Sequence, residues 1–146
     1  MKKIYRNFID KQTAVDCLSS TSQNRHSLLK TDNALVKRII KKLKEDFEFE
    51  VKEQSYWLTE HRGSGHIWHK DTGTSNHMVW CEVGVSILLS EQDDFKGGDT
   101  WYGDDEKGTN ATKSKRKPYD LVAHTSDEWH KVDSHEGQRN VFLMFI

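Results

Sequence analysis

With 146 residues and 17.0 kDa, the chain holds enough for one domain with one core and too little for two of ordinary size. Its 22 Lys and Arg against 23 Asp and Glu leave a net charge of −1, so the overall balance asks for neither nucleic acid nor an anionic membrane surface. Apolar runs of only a few residues lead to the expectation of no transmembrane helix and no secretory leader, and two cysteines, Cys17 and Cys81, make no disulfide framework. Five Trp, four Tyr and six Phe on a nearly neutral chain speak against disorder. The expectation is a small cytoplasmic domain.

Residues 8–20 fit a short helix around Ala14, Val15 and Leu18, and 19–32 read as a polar connector. Residues 33–47 carry the clearest helical signal. Val36, Ile39, Ile40, Leu43 and Phe47 recur at three- and four-residue steps, lysines fill the opposite face, and Thr31, Asp32 or Asn33 can cap the start. From about residue 49 the period becomes two. Runs at 55–60, 66–69, 78–89, 99–102, 119–124, 129–133 and 138–146 alternate with glycine-containing turns. The 78–89 run fits two strands or one bent strand. This pattern predicts a mainly β protein, a double-stranded β-helix (jelly roll) with N-terminal supporting helices. Residues 1–146 then form one domain, with 1–48 as helical buttress and 49–146 as jelly-roll core. Residues 103–117 are polar and strand-poor, a long loop whose basic end, Lys113 to Lys117, faces solvent or an acidic substrate.

His69-Lys70-Asp71 is the first chemical pattern. In an extended chain, residues two apart project to the same face, so an imidazole and a carboxylate can converge on one ion. His66, three residues from His69, is expected on the opposite face. The third ligand has to come from a distant strand, and His130, in Glu128-Trp129-His130-Lys131-Val132, is the best placed. Two His and one carboxylate on one face of an iron leave positions open for chemistry. Zinc would accept the same ligands, but no clear general-base spacing accompanies them. Arg139 stands nine residues after His130 and just past Gly137, at the head of the strongest strand, 140–146. Turned inward, its planar fork suits a carboxylate; turned outward, it is a solvated strand end.

In this order the residues resemble the iron(II)- and 2-oxoglutarate-dependent dioxygenases, and among them the prolyl hydroxylase branch. The resemblance covers about residues 55–146. It rests on the Glu60-to-Asp71 approach, on Val85 to Ser90 with the Phe95-to-Thr100 turn, on Trp129 to Val132, and on Gly137 to Arg139. It implies that His69, Asp71 and His130 hold Fe(II), that 2-oxoglutarate chelates the iron, and that Arg139 grips its C5 carboxylate. The implied reaction hydroxylates a C–H bond with 2-oxoglutarate and O2, releasing succinate and CO2. By family analogy the target is a prolyl residue in a peptide or protein, and ascorbate is a further cofactor that the resemblance allows. Asp71 favours hydroxylation, because related halogenases lack this carboxylate.

Several positions depart from the family pattern. Thr59 stands where many prolyl hydroxylases place a tyrosine, and it is the expected second contact to the C5 carboxylate; Tyr56 serves if the register slips. The turn reads Gly-Gly-Asp where the family has Gly-Gly-Glu, and Asp120 and His124 replace a glycine and a phenylalanine. Phe145 occupies the place of a second arginine of the nucleic-acid demethylases, so a nucleic-acid substrate is not expected. Trp101 is expected to wall the substrate site, because alternation puts it on the face of Asp99. His61, His77, His124 and His135 are expected to be surface or hydrogen-bonded core histidines. The partner is a peptide, a protein or a small molecule, with no membrane. Rival readings are a non-catalytic jelly-roll binding module, a cupin-type metal enzyme using no 2-oxoglutarate, and a dioxygenase acting on a small metabolite or, through Lys113 to Lys117, on nucleic acid.

Overall fold

The computed structural model describes residues 1–19, 24–61, 65–73 and 77–146. Strand β1 (Lys2–Tyr5) leads into helix α1 (Lys11–Ser19), β2 (His26–Ser27) and helix α2 (Ala34–Leu43). Then follow β3 (Tyr56–His61), β4 (His66–His69), β5 (Val83–Leu88), β6 (Phe95–Gly97), β7 (Thr100–Gly103) and β8 (Thr112–Lys113). The chain ends with β9 (Leu121–Thr125), β10 (Trp129–Val132), β11 (His135–Gly137) and β12 (Asn140–Phe145).

Side chains that satisfy free backbone donors start both helices. Asp10 accepts from the Thr13 amide at 2.8 Å, and Asn33 accepts from the Val36 amide at 3.1 Å, so of the three candidate caps Asn33 takes the role. The next turns of α2 bury Val36, Ile39 and Leu43 completely. Each such side chain contributes about 1.5–3 kcal/mol by leaving water.

Six strands form the main sheet in the order β1-β9-β5-β12-β3-β2, and four form a second sheet in the order β4-β10-β7-β8. Pairing is antiparallel throughout, and the architecture is the jelly roll that the two-residue period predicts. Alternation gives the main sheet two faces. Val83, Val85 and Ile87 of β5, Leu121 and Ala123 of β9, and Phe142 and Met144 of β12 pack with the helices. Their neighbours Ser86, Val122, His124, Val141 and Leu143 face a cavity of about 360 Å³ that the second sheet closes from the other side.

Three elements differ from expectation. β1 and β2, from the N-terminal third, extend both edges of the main sheet. Edge strands can be short and charged, so Lys2-Lys3-Ile4-Tyr5 gives no apolar signal. The 78–89 run is a turn, with Met78 at φ 48°, followed by the single strand β5. Residues 103–117 include β8, which closes a hairpin with β7 and sets Lys113 opposite Trp101 and Thr112 opposite Tyr102. Asp105 organises its tip, accepting from the amides of Lys107 and Thr109 and from the Thr109 hydroxyl. Among the described residues no helix is long and apolar enough to cross a membrane.

Candidate active site

His69 ends β4, Asp71 follows it in the turn, and His130 sits on β10 directly opposite His69. The His69 and His130 ring centroids are 4.2 Å apart, and His130 Nε2 lies 3.4 Å from Asp71 Oδ1. One ligand atom from each of the three residues falls within 4.8 Å of the others. Two bonds of about 2 Å to one ion span about 4 Å, so a small contraction brings all three onto a metal. The tautomers are prepared as well. His69 Nδ1 meets the Ile67 carbonyl at 2.7 Å and His130 Nδ1 meets the Glu128 carbonyl at 2.9 Å. Each Nδ1 therefore donates to its carbonyl, which leaves Nε2 as the ring nitrogen on the side of an ion.

The charges suit a cation. Burial by itself would raise the Asp71 pKa, but hydrogen bonds from His124 and His130 outweigh it and hold the carboxyl well below the usual carboxylate range. Burial pushes His69 down, with His130 acting in the same direction. For His130, burial acts downward too, but the bond to Asp71 and its charge raise the net value.

Arg139 marks the other end of the same cavity. It is buried at the head of β12, and its Nε has no hydrogen-bond partner among the described residues. Burial, reinforced by the nearby charge of Arg116, pushes its pKa down to about 10. Gly98, at φ +70°, makes room for it: a Cβ there would lie 2.4 Å from Arg139 Cδ. An unpaired buried guanidinium is costly and asks for an anion. The donor set of two imidazoles and a carboxylate fits Fe(II), and the orphaned Arg139 Nε fits the far carboxylate of a dicarboxylate such as 2-oxoglutarate.

No protein-family model and no curated protein matches the sequence. Solved structures do match. A prolyl-4-hydroxylase from Pseudomonas putida superposes with a TM-score of 0.69 at 12% identity, over 99% of this chain and 83% of its own. A Trichoplax adhaerens prolyl hydroxylase, in complex with a hypoxia inducible factor oxygen degradation domain peptide, gives 0.65 at 14% over 99% and 82%. A viral collagen prolyl hydroxylase of Paramecium Bursaria Chlorella virus-1, in a 2-oxoglutarate complex, gives 0.64 at 12% over 99% and 93%. This chain has the prolyl hydroxylase fold.

Within that prolyl hydroxylase fold, the cavity brings together His69, Asp71, His130 and Arg139 and leaves out two other expected residues. Thr59 is buried on the opposite face of β3, in register with Phe142. Tyr56, Leu58 and Glu60 line the cavity, and Thr59 is one residue out of phase with them. Tyr56, the slipped-register alternative, does line the cavity, where its ring meets Phe145 at 5.3 Å. Trp101 points to the outer side of the second sheet, where its indole N–H donates to Asp133 at 2.8 Å and the Lys131 ammonium lies 5.9 Å from its ring. Its neighbours Thr100 and Tyr102 are the cavity residues of β7.

A bulge overturns the expectation for His66. His69 pairs with His130, yet His66 pairs with Val132, so β4 spends three residues where β10 spends two. Both histidines thereby reach the cavity, their rings 5.5 Å apart, and His66 Nε2 sits 3.4 Å from Glu60. Sequence reasoning also missed His124 and Arg116 as cavity residues. His124, on β9, has its Nε2 2.7 Å from Asp71 Oδ2, and the Tyr102 hydroxyl lies 3.2 Å from its Nδ1. The available signal was parity, since His124 is two residues from Val122 on a strand whose Leu121 and Ala123 face the helices.

Proposed function

We propose that this chain is an Fe(II)- and 2-oxoglutarate-dependent dioxygenase that hydroxylates a C–H bond, with a prolyl residue of a peptide or protein as its target. The carrying observation is one cavity with a His69–Asp71–His130 ligand triad at one end and the unpaired buried Arg139 at the other. Fe(II) with 2-oxoglutarate, when bound, supplies the oxidation of a substrate C–H by O2, with succinate and CO2 as co-products.

The chain's own residues do the rest. His69, Asp71 and His130 would hold Fe(II) at the cavity wall. Arg139 pairs with the far carboxylate of the keto acid and fixes its direction, a charge-assisted interaction worth about 1.5–3 kcal/mol. Leu58, Val122, Val141 and Leu143 give the cavity apolar walls that exclude water around the reacting groups. Tyr56, Phe145 and Trp80 form an aromatic cluster beside the metal end, with Tyr56–Phe145 at 5.3 Å and Tyr56–Trp80 at 6.0 Å. Such faces suit an apolar ring of the prolyl kind. The peptide in the Trichoplax structure and the 2-oxoglutarate in the viral one support this reading.

The test is anaerobic loading with Fe(II) and 2-oxoglutarate, then admission of air, with succinate measured across a panel of prolyl peptides and small metabolites. Succinate release that depends on Fe(II) and increases with a prolyl peptide is the expected result. No succinate from the wild-type protein under any condition would refute the reaction class.

A further inference from the structure

Arg116 follows the short strand β8, in a stretch that reads from sequence as solvated and basic. In the fold it turns inward. It lines the same cavity as Arg139, and its Nη1 donates to the Ser86 hydroxyl on β5. Burial pushes its pKa down, and Arg139 feels its charge. Among the described residues Arg116 makes no ion pair. Asp120 attracts it from a distance, but the Asp120 oxygens already accept from Arg6, the Asn7 amide and the Lys117 amide. A second guanidinium therefore enters a cavity that already holds Arg139 with its unpaired Nε, and among the described residues no acid forms an ion pair with it.

β5 gives the distance scale. Gly84 lies against Asp71 at the metal end, since a Cβ there would be 2.2 Å from Asp71 Oδ2. Ser86, which holds Arg116, is two residues further along, and Leu88 pairs with Val141, just inside the strand from Arg139. Two strand residues advance roughly 6.6 Å, comparable with the length of a five-carbon chain. Arg116 is thus about one keto diacid away from the metal ligands, on the side of Arg139. Thr59, the expected second contact for the distal carboxylate, faces away from the cavity.

We propose that Arg116 and Arg139 form a two-guanidinium carboxylate site, with Arg116 as the second contact to the distal carboxylate of 2-oxoglutarate. This rests on the dioxygenase reading above. Two planar forks supply more N–H donors than one carboxylate can use, so the site strongly favours a keto acid with a distal carboxylate over one without. It also carries a cost in the free protein, because two like charges face one cavity and the charge of Arg116 holds the affinity of Arg139 for its proton down. Binding of the diacid relieves that repulsion.

The experiment is calorimetric titration of the anaerobic Fe(II)-loaded protein with 2-oxoglutarate and with 2-oxobutyrate, which lacks the distal carboxylate. It is run on wild type, Arg116→Gln, Arg116→Lys and Arg139→Gln, with thermal melts of each metal-free protein. Wild type should prefer 2-oxoglutarate. Arg116→Gln should lose about tenfold or more of that affinity, leave 2-oxobutyrate binding unchanged, and melt no lower than wild type. If Arg116→Gln melts well below wild type, Arg116→Lys decides, and it should keep part of the preference. Wild-type 2-oxoglutarate binding in Arg116→Gln, together with a loss in Arg139→Gln, would overturn the Arg116 assignment and leave the dioxygenase reading standing. That outcome includes the case in which Arg116 serves a carboxylate of the oxidised substrate. Equal loss of both keto acids in the Arg116 variants would also overturn it. Absence of 2-oxoglutarate binding in wild type would overturn both.

Discussion

The Nε2 of His124 lies 2.7 Å from Oδ2 of Asp71, while Oδ1 of the same carboxylate faces His130. A carboxylate tied by one oxygen presents the other in a fixed direction, as outer-shell partners of metal ligands do. The Tyr102 hydroxyl at His124 Nδ1 completes the arrangement, because it can donate there and leave the proton on Nε2 for Asp71.

His124→Phe keeps a ring of similar size and removes the donor. Fe(II) affinity, measured by anaerobic titration, should fall by about 10–100-fold. His124→Gln, whose amide nitrogen can reach the same oxygen, should recover part of it. Unchanged Fe(II) affinity in His124→Phe, with a normal circular-dichroism spectrum, would mean that Asp71 needs no orienting partner.

Gly84 tests the same pair from below. A Cβ at this position would lie 2.2 Å from Asp71 Oδ2 and 2.7 Å from His124 Nε2. Gly84→Ala must push the two apart, at a stability cost of about 1–3 kcal/mol. Fe(II) binding should weaken while 2-oxobutyrate, which needs the metal but not Arg139, weakens in parallel. A variant that matched wild type in both melting temperature and Fe(II) titration would show slack in the pair that the geometry does not contain.

Gly98 separates the two ends of the cavity. An added Cβ would meet Arg139 Cδ at 2.4 Å and Nε at 2.6 Å, at a residue whose φ of +70° already disfavours any side chain. Gly98→Ala should therefore lower 2-oxoglutarate affinity by about tenfold or more with Fe(II) affinity unchanged. Loss of Fe(II) binding instead would indicate that the 96–99 turn supports the whole sheet rather than one side chain.

The metal end was legible in the sequence because its information is local. His69 and Asp71 obey two-residue parity, and His130 stands on an alternating strand. The residues alone leave the direction of Arg139 open, and only the family resemblance turns it inward; in the fold it shares the inward face of Val141, Leu143 and Phe145. Errors arose where parity breaks or its phase is ambiguous. The β4 bulge adds one residue between His66 and His69, and nothing in His-Ile-Trp-His announces it. On β3 both faces are buried, so Tyr56-Trp57-Leu58-Thr59 gives no polar–apolar alternation to choose between Tyr56 and Thr59. Trp101 was placed on the wrong side because alternation put it on the face of Asp99, and Asp99 is itself exposed outside the cavity, so Trp101 covers the outer sheet with Lys131 above it. Arg116 was hidden by its basic neighbours. Only the hairpin geometry, with the Ser114 amide donating to the Thr100 carbonyl at 2.8 Å, turns it toward Ser86.

Asp120 links the N-terminal segment to that turn and gives the protein a pH-dependent element. It is 2% exposed and accepts from Arg6 Nη1 at 2.6 Å, the Asn7 amide at 2.8 Å and the Lys117 amide at 3.0 Å. Burial would raise its pKa, but these hydrogen bonds and the Arg6 charge outweigh it and hold the carboxyl below its ordinary value. A carboxyl with a lowered folded pKa binds protons more readily in the unfolded chain. Its contribution is therefore fully present above the unfolded value near pH 4 and is lost as pH falls through the folded one. Asp120→Asn removes the charge and one acceptor, and should cost about 2 kcal/mol in denaturant melts between pH 5 and 7. The gap to wild type should be flat across that range and narrow below roughly pH 4, as the wild-type carboxyl takes up its proton. Because the Lys117 amide is one of the three donors, the variant should also loosen the 114–117 segment that carries Arg116 and weaken 2-oxoglutarate binding at neutral pH. A gap that widened toward acid would have the wrong sign for a carboxylate stabilised in the folded state.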